Sequence, residues 1–359
     1  MVFAMSRKIL PVHFAPLQGF TECAYRQAHF LYAGGISAYY TPFLRVEKGV
    51  AREKDLRDLQ QDLEFIKSRQ TNICHCENQA YNTNDEVAPR FYNVVPQIIC
   101  RDVSEFRILV DAIQKLKQDC GFAPDEVFPQ IDINMGCPFP MQAKAGRGSG
   151  LLPRVDAIRE ILAEVATRTS LKFSVKMRLG YTSPDECLAL LPLLNEAPLA
   201  HITMHPRTGI QQYKGALDFD AFQKFYEGCK HPVIFNGDIT SIKDIQAIAC
   251  RFPNLKGIMI GRGLLANPAL ATQYQDDSKN TGNPIPALIK IHDALLADYR
   301  KRLQGDAQIL DKIRPFWTYA TEAAQTNPEM ANYLPKRTIK KIAKARNLSD
   351  YLNAVQELA

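Results

Sequence analysis

Residues 131–138 read Ile131-Asp132-Ile133-Asn134-Met135-Gly136-Cys137-Pro138, and a Gly146-Arg147-Gly148-Ser149-Gly150 loop follows just downstream. The apolar-alternating run predicts a buried strand, and Asn-x-Gly-Cys-Pro predicts the turn that stops it and turns its last side chains outward. One thiol is thereby placed at a strand's end, where barrel enzymes carry catalytic side chains.

Working outward, short apolar strands alternate with longer helical or loop segments through the first 270 residues. Strands are expected near residues 12–18, 36–42, 93–100, 127–135, 172–179, 201–207, 232–238 and 257–263. Parallel neighbours need crossover connections, and an even ring buries both sheet faces. The beat therefore predicts an α/β fold, a (β/α)8 TIM barrel. An open doubly wound sheet is the alternative; no Gly-x-Gly-x-x-Gly follows the first strand, which weakens a dinucleotide-binding version of it. After Pro268 the strand signals end. Helix-period patterns punctuated by Pro284, Pro286, Pro315, Pro328 and Pro335 predict an appended C-terminal all-helical domain. The expected division is 1–270 for the barrel and 275–359 for the helical domain.

Between about 50 and 90 the beat is interrupted. Arg52 to Lys67 is charged with leucines at helical spacing, and Thr71 to Pro89 reads as a polar loop. Cys74-His75-Cys76 lies inside it. Three crowded potential ligands without a second cluster favour a plain surface loop over zinc, so no metal site is expected.

Composition sets the outer bounds. The chain has 359 residues, 46% of them hydrophobic, enough for a large core, which excludes a disordered protein. The net charge of +6, from 44 basic and 38 acidic residues, permits a nucleic-acid partner without requiring one. Nine cysteines and no recognisable leader favour reduced thiols and a cytoplasmic location. No apolar run approaches the roughly 18 residues of a membrane span. No feature calls for an obligate protein partner.

Polar groups recur at the strand ends. They include Lys176-Met-Arg178-Leu-Gly180, Met204-His205-Pro-Arg207-Thr208, Asn236-Gly237-Asp238 and Gly261-Arg262-Gly263. A barrel brings these ends to one rim, and glycine-rich turns after its seventh and eighth strands offer N–H groups to a phosphate, with Arg262 as an added cation. Each site alone reads as a helix cap or a satisfied core group. Their common phase favours a functional rim. In the tail, Lys336, Arg337, Lys340, Lys341, Lys344 and Arg346 place six cations in eleven residues without an acid. Phosphate contact and a solvated helix face fit that segment equally well.

The order Ala15-Pro16-Leu17, Gln97, Asn134-Met-Gly-Cys137-Pro138, Lys176-Met-Arg178, His205-Pro-Arg207, Asn236-Gly-Asp238 and Gly261-Arg262-Gly263 resembles the tRNA-dihydrouridine synthases. The resemblance covers nearly the whole chain. It implies a barrel holding FMN, NADPH as reductant, tRNA as substrate, and a helical domain that helps grip the RNA. Carried over by position, Pro16, Leu17, Gln97, Lys176 and His205 lie at the flavin. Asn236, Gly237, Asp238, Gly261 and Arg262 hold its ribityl and phosphate end. Asn134 and Arg178 face the uracil, the basic segment from Lys336 to Arg346 contacts phosphates, and Cys137 is the acid.

The chemistry follows from uracil. Its C5=C6 bond is conjugated to the C4 carbonyl, so hydride adds at C6 and C5 then needs a proton. A thiol that gives this proton must be protonated beforehand, so its pKa is not strongly depressed. In isolation Cys137 reads as a small buried residue; on this rim it reads as the acid. The sequence departs from the family pattern over residues 50–90, which match it poorly, and at three further places. Phe139-Pro140-Met141-Gln142 delays the first cation to Lys144, Cys100 replaces a common glycine, and Leu17 replaces a frequent methionine. Two other functions fit part of the pattern. A flavin barrel acting on a free pyrimidine, as in dihydroorotate dehydrogenases, does not need the basic tail. A non-catalytic RNA-binding protein does not need Asn236-Gly237-Asp238 on the rim.

Overall fold

The computed structural model describes residues 9–76, 91–123, 125–276 and 282–358, without the side chains of 71–76. Its strands are Val12–Phe14 (β1), Ala38–Tyr40 (β2), Leu44–Glu47 (β3), Val50–Ala51 (β4), Val94–Val95 (β5), Gln97–Ile99 (β6), Gln130–Met135 (β7), Lys172–Gly180 (β8), Leu199–Thr208 (β9), Val233–Asn236 (β10) and Gly257–Ile260 (β11). The barrel helices are Cys23–Tyr32 (α1), Glu53–Cys76 (α2), Val103–Asp119 (α3), Pro140–Lys144 (α4), Val155–Thr167 (α5), Glu186–Glu196 (α6), Phe219–Gly228 (α7), Ile242–Arg251 (α8), Arg262–Ala266 (α9) and Leu270–Gln275 (α10). A helical region follows, with Ile285–Arg302 (α11), Asp306–Ile313 (α12), Thr318–Thr326 (α13), Pro328–Tyr333 (α14), Lys336–Lys344 (α15) and Leu348–Gln356 (α16).

The segments close into eight parallel staves. β7 to β11 pair in sequence, and β11 returns to β1 through Val12 opposite Ile258 and Phe14 opposite Ile260. Two staves are broken. β2 and β3 are halves of one strand interrupted at Thr41-Pro42-Phe43, β5 and β6 are halves of the next interrupted at Pro96, and each half pairs with its counterpart. Proline has no N–H for the ladder. The hydroxyl of Thr41 replaces a ladder partner by accepting the Gln97 N–H at 3.0 Å. β4 is an antiparallel extension of β3. This is the expected barrel, and the open sheet is excluded.

Period-two alternation explains what faces inward. Ile131, Ile133 and Met135 of β7 and Phe173, Val175, Met177 and Leu179 of β8 belong to the large core between strands and helices. The intervening Asp132, Asn134, Ser174, Lys176 and Arg178 therefore point to the barrel axis. A second small cluster, with Ala15, Ala38, Tyr40, Val95, Ile234 and Met259, fills the interior beside them.

The helical region docks on the barrel's side. α11 packs on α1 and α13 on α9, Lys312 Nζ bonds Glu22 at 2.8 Å, and the Phe20 and Tyr319 rings meet at 4.9 Å. Tyr351 ties this region together, accepting from Trp317 Nε1 at 2.9 Å and lying 3.0 Å from His292 Nε2. One expectation is corrected. The loop expected from Thr71 is helical as far as Cys76, because α2 continues the amphipathic run that begins at Glu53. The side chains of Cys74, His75 and Cys76, and residues 77–90, lie outside the described ones. No helix among the described residues is long and apolar enough to cross a membrane.

Candidate active site

At the carboxyl ends of the staves lies a cavity of about 520 Å³. Thirteen of the residues singled out in the sequence line it: Pro16, Leu17, Gln97, Asn134, Cys137, Lys176, Arg178, His205, Asn236, Gly237, Asp238, Gly261 and Arg262. These thirteen come from seven staves or the turns after them, and the remaining stave, β2 with β3, adds Pro42, Phe43 and Arg45. The six cations from Lys336 to Arg346 are not brought there. They are exposed on and just after α15, where Thr338 and Ile342 turn inward, and Lys341 pairs with Glu357.

Cys137 ends the turn after β7. Its N–H and that of Gly136 both donate to Asn134 Oδ1, at 2.8 and 3.0 Å. Its carbonyl accepts from the N–H and hydroxyl of Ser149. The glycine loop is itself anchored: Arg147 forks onto the buried carboxylate of Glu105. Burial pushes the Cys137 thiol up, against the Phe139 N–H and the charges of Arg178 and Lys176. The thiol is therefore protonated at neutral pH.

Two cations and an imidazole share the cavity with this thiol. Arg178 donates to the carbonyls of Gly136, Thr208 and Gln212 at 3.0, 2.8 and 2.6 Å, which uses most of its fork to hold loops. Burial pushes it down to about 10, so it stays charged. Burial, then the Arg178 charge, pushes Lys176 down to about 8. His205 is held well below its usual value by burial, with Arg178, Lys176, Arg207 and Arg262 all adding repulsion. It is neutral, and its buried Nδ1 has no partner among the described residues.

The far end is built around Asp238. Burial opposes its ionisation, but the hydrogen bond and charge of Arg207, with the charges of Arg262 and Arg178, hold its carboxyl below the usual range. Arg207 also donates to the Gly215 carbonyl, and Arg262 reaches Asp238 Oδ1 at 2.8 Å. The Tyr213 ring is flanked by two guanidinium groups, Arg262 at 4.8 Å and Arg178 at 5.4 Å from its centroid. Gly261 leaves room beside Leu17, where a Cβ would come within 3.0 Å. The result is a concave site with a neutral proton donor, Lys176 and Arg178 beside that donor, and Arg262 at the far end.

Five residues here carry no role in the sequence reading. Arg207 stands in the rim motif, two after His205 along β9, so the strand period alone aims it inward; its pairing with Asp238 depends on a neighbouring stave. Tyr213, in a loop, and Tyr319, from α13, reach the cavity only through tertiary placement. Arg45 lines it from β3, and Asp132 lies beneath it. No group of three or more potential metal ligands occurs among the described residues.

A closed parallel barrel with its polar cavity at the strand ends defines a (β/α)8 enzyme-type site. A family model described as dihydrouridine synthase (Dus) matches residues 100–357, and the chain belongs to that family. A probable tRNA-dihydrouridine synthase of Helicobacter pylori is 31% identical over 62% of this chain and 66% of its own length. A tRNA-dihydrouridine(16) synthase of Pseudomonas putida is 33% identical over 44% of this chain and 49% of its own length. The matches thus span about half to two thirds of these relatives. Among solved structures, histamine dehydrogenase from Rhizobium sp. 4-9 superposes with a TM-score of 0.52 at 13% identity, covering 80% of this chain and 49% of that one. That likeness concerns the fold alone.

Proposed function

We propose that this protein reduces the C5=C6 bond of uridines in tRNA to dihydrouridine, holding FMN in the barrel cavity and using NADPH as reductant. The observation that carries the reading is the convergence of thirteen family-motif residues on one cavity that contains a buried, protonated thiol. The cavity volume is within the range of cofactor pockets. Its donor set also fits a flavin: the unpartnered His205 Nδ1 and Lys176 for the ring, and the Arg262 cation with the Gly261 turn for a phosphate.

In this reading Pro16, Leu17, Gln97, Lys176 and His205 hold the ring, and Asn236, Gly237, Asp238, Gly261 and Arg262 the ribityl phosphate. The bound flavin supplies hydride. Lys176 would place a cation beside the ring. Asn134 and Arg178 orient the uracil. Cys137 gives its proton to C5, and burial keeps that proton in place beforehand. The base must first be unstacked from the RNA, at a cost of a few kcal/mol. Residues 1–270 form the catalytic unit, and 275–359 offset that cost through phosphate contacts of Lys336, Arg337, Lys340, Lys341, Lys344 and Arg346.

The test uses the purified full chain. Heat-released cofactor is identified by mass spectrometry, and reductant consumption is followed with unmodified tRNA or with a free pyrimidine. FMN together with NADPH oxidation that depends on tRNA is expected. Turnover of the free pyrimidine alone supports a small-molecule oxidoreductase, and a colourless, inactive protein contradicts the redox reading.

A further inference from the structure

Beneath the cavity five polar side chains inside the barrel form one hydrogen-bonded column. Gln130 Nε2 donates to Ser174 Oγ at 2.9 Å, and Ser174 Oγ donates to Asp132 Oδ1 at 2.5 Å. Gln97 Nε2 donates to Asp132 Oδ2 at 2.7 Å, and Asn134 Nδ2 donates to Gln97 Oε1 at 2.7 Å. Asn134 Oδ1 then accepts the N–H groups of Gly136 and Cys137. Asp132, Gln97 and Ser174 are fully buried.

The two ends of this column have fixed polarity. An ionised carboxylate only accepts, and a backbone N–H only donates. Burial pushes the Asp132 carboxyl up to about 7, against the hydrogen bonds of Ser174 and Gln97. A proton on Oδ1 would face Ser174 and leave Oδ2 accepting from Gln97, so the polarity towards Gln97 is the same in both states. Between the two ends, the Gln97 and Asn134 amides satisfy every contact in one orientation alone. Turning Gln97 over would set its oxygen against Asp132 and its NH₂ against the NH₂ of Asn134. Each such mismatch leaves buried donors facing donors or acceptors facing acceptors with no water to pair them, which disfavours the turned arrangement.

We propose that Asp132 is a positioning residue that sets the polarity of the Gln97 and Asn134 amides and so fixes the turn carrying Cys137. One chemical consequence concerns the ligand. Both lone pairs of Asn134 Oδ1 are engaged, so the polar group this residue has left is one N–H. A ring bound against it must present an acceptor there, as uracil does with a carbonyl oxygen. The exocyclic amino group of cytosine at the same place is refused. Only this consequence, together with activity, rests on the function proposed above.

The test is the rate at which iodoacetamide alkylates Cys137 in the purified full chain, resolved by peptide mass spectrometry, beside dihydrouridine formation. In Asp132→Asn the new amide still accepts from Gln97 and donates to Ser174, so a rate within about twofold of wild type is expected. Asp132→Ala and Gln97→Met each break the column and loosen the turn, and at least about fivefold faster alkylation is expected as the buried thiol opens. Gln97→Met leaves Asp132 itself untouched, so it decides the matter if Asp132→Ala fails to fold. Wild-type rates in Gln97→Met and in any folded Asp132→Ala, or equal acceleration in Asp132→Asn, would overturn the proposal. Absence of dihydrouridine from every protein, wild type included, would sink the functional reading while leaving the alkylation comparison intact.

Discussion

The carbonyl oxygen of Cys137 accepts two hydrogen bonds from Ser149, one from its N–H and one from its hydroxyl, each 3.0 Å long. The thiol-bearing turn is thus stapled to the glycine loop twelve residues on. Close approach makes this contact possible. Gly148 adopts φ +58°, and a Cβ on it would lie 2.6 Å from the Cys137 oxygen.

Gly148→Ala therefore combines a left-handed backbone with a backbone collision. A loss of about 2–4 kcal/mol is expected, with reduced activity in whatever remains folded. Urea denaturation measures it; a change below about 0.5 kcal/mol would contradict the geometry.

The Asp238 ion pairs predict a pH-dependent contribution. Arg207 has a side chain only 4% exposed and relies on Asp238 for charge compensation. Because Asp238 is partly exposed, Asp238→Asn is expected to cost about 1–3 kcal/mol at pH 7, less than a fully buried pair. The carboxyl is held below its usual 3.8, so its contribution is complete above that value and disappears as pH falls through the lower, folded one. Melting curves of wild type and Asp238→Asn should converge as the solution becomes more acidic than that. A gap of constant size would show that the pairs carry no charge-dependent stability.

Lys176 predicts the alkaline side of the activity profile. Burial lowers it to about 8, so its cation disappears as pH rises through that value. The Cys137 thiol, raised above 9.0, is still protonated there. Turnover should begin to fall near pH 8 in wild type, and Lys176→Arg should move that limb upward while lowering the maximum. A limb unmoved by Lys176→Arg assigns it to another group.

The strands were legible because each is a short apolar run bounded by turn residues, and the rim was legible because polar side chains recur in the same phase after several of them. What escaped has physical causes. Pro42 and Pro96 split two staves at the same level, which a run of apolar residues does not announce. Helix α2 outlasts its charged stripe as far as Cys76. Asp132 stood in plain view inside the motif, but its role depends on Gln97 and Ser174 arriving from neighbouring staves. Tyr213 and Tyr319 join the site from a loop and a separate helix, at sequence distances no local pattern spans.

The basic face of α15 is separable from the barrel chemistry. Lys340 and Lys344 are exposed and one turn apart, so reversing both to Glu should leave stability within about 0.5–1 kcal/mol. Affinity for tRNA should drop, and the slope of log affinity against log salt should become shallower by about 0.7–0.9 for each phosphate that is no longer neutralised. Equal affinity and slope would remove this helix from the RNA surface.

The most direct measurement is dihydrouridine in bulk tRNA, by mass spectrometry, from a host without its own dihydrouridine synthases that expresses either wild type or Cys137→Ala. The account predicts dihydrouridine with wild type and at least about a hundredfold lower rate with the variant, as expected for loss of a general acid. Equal dihydrouridine from both proteins would contradict Cys137 as the proton donor, and none from a wild type that carries FMN and folds normally would contradict the proposed substrate.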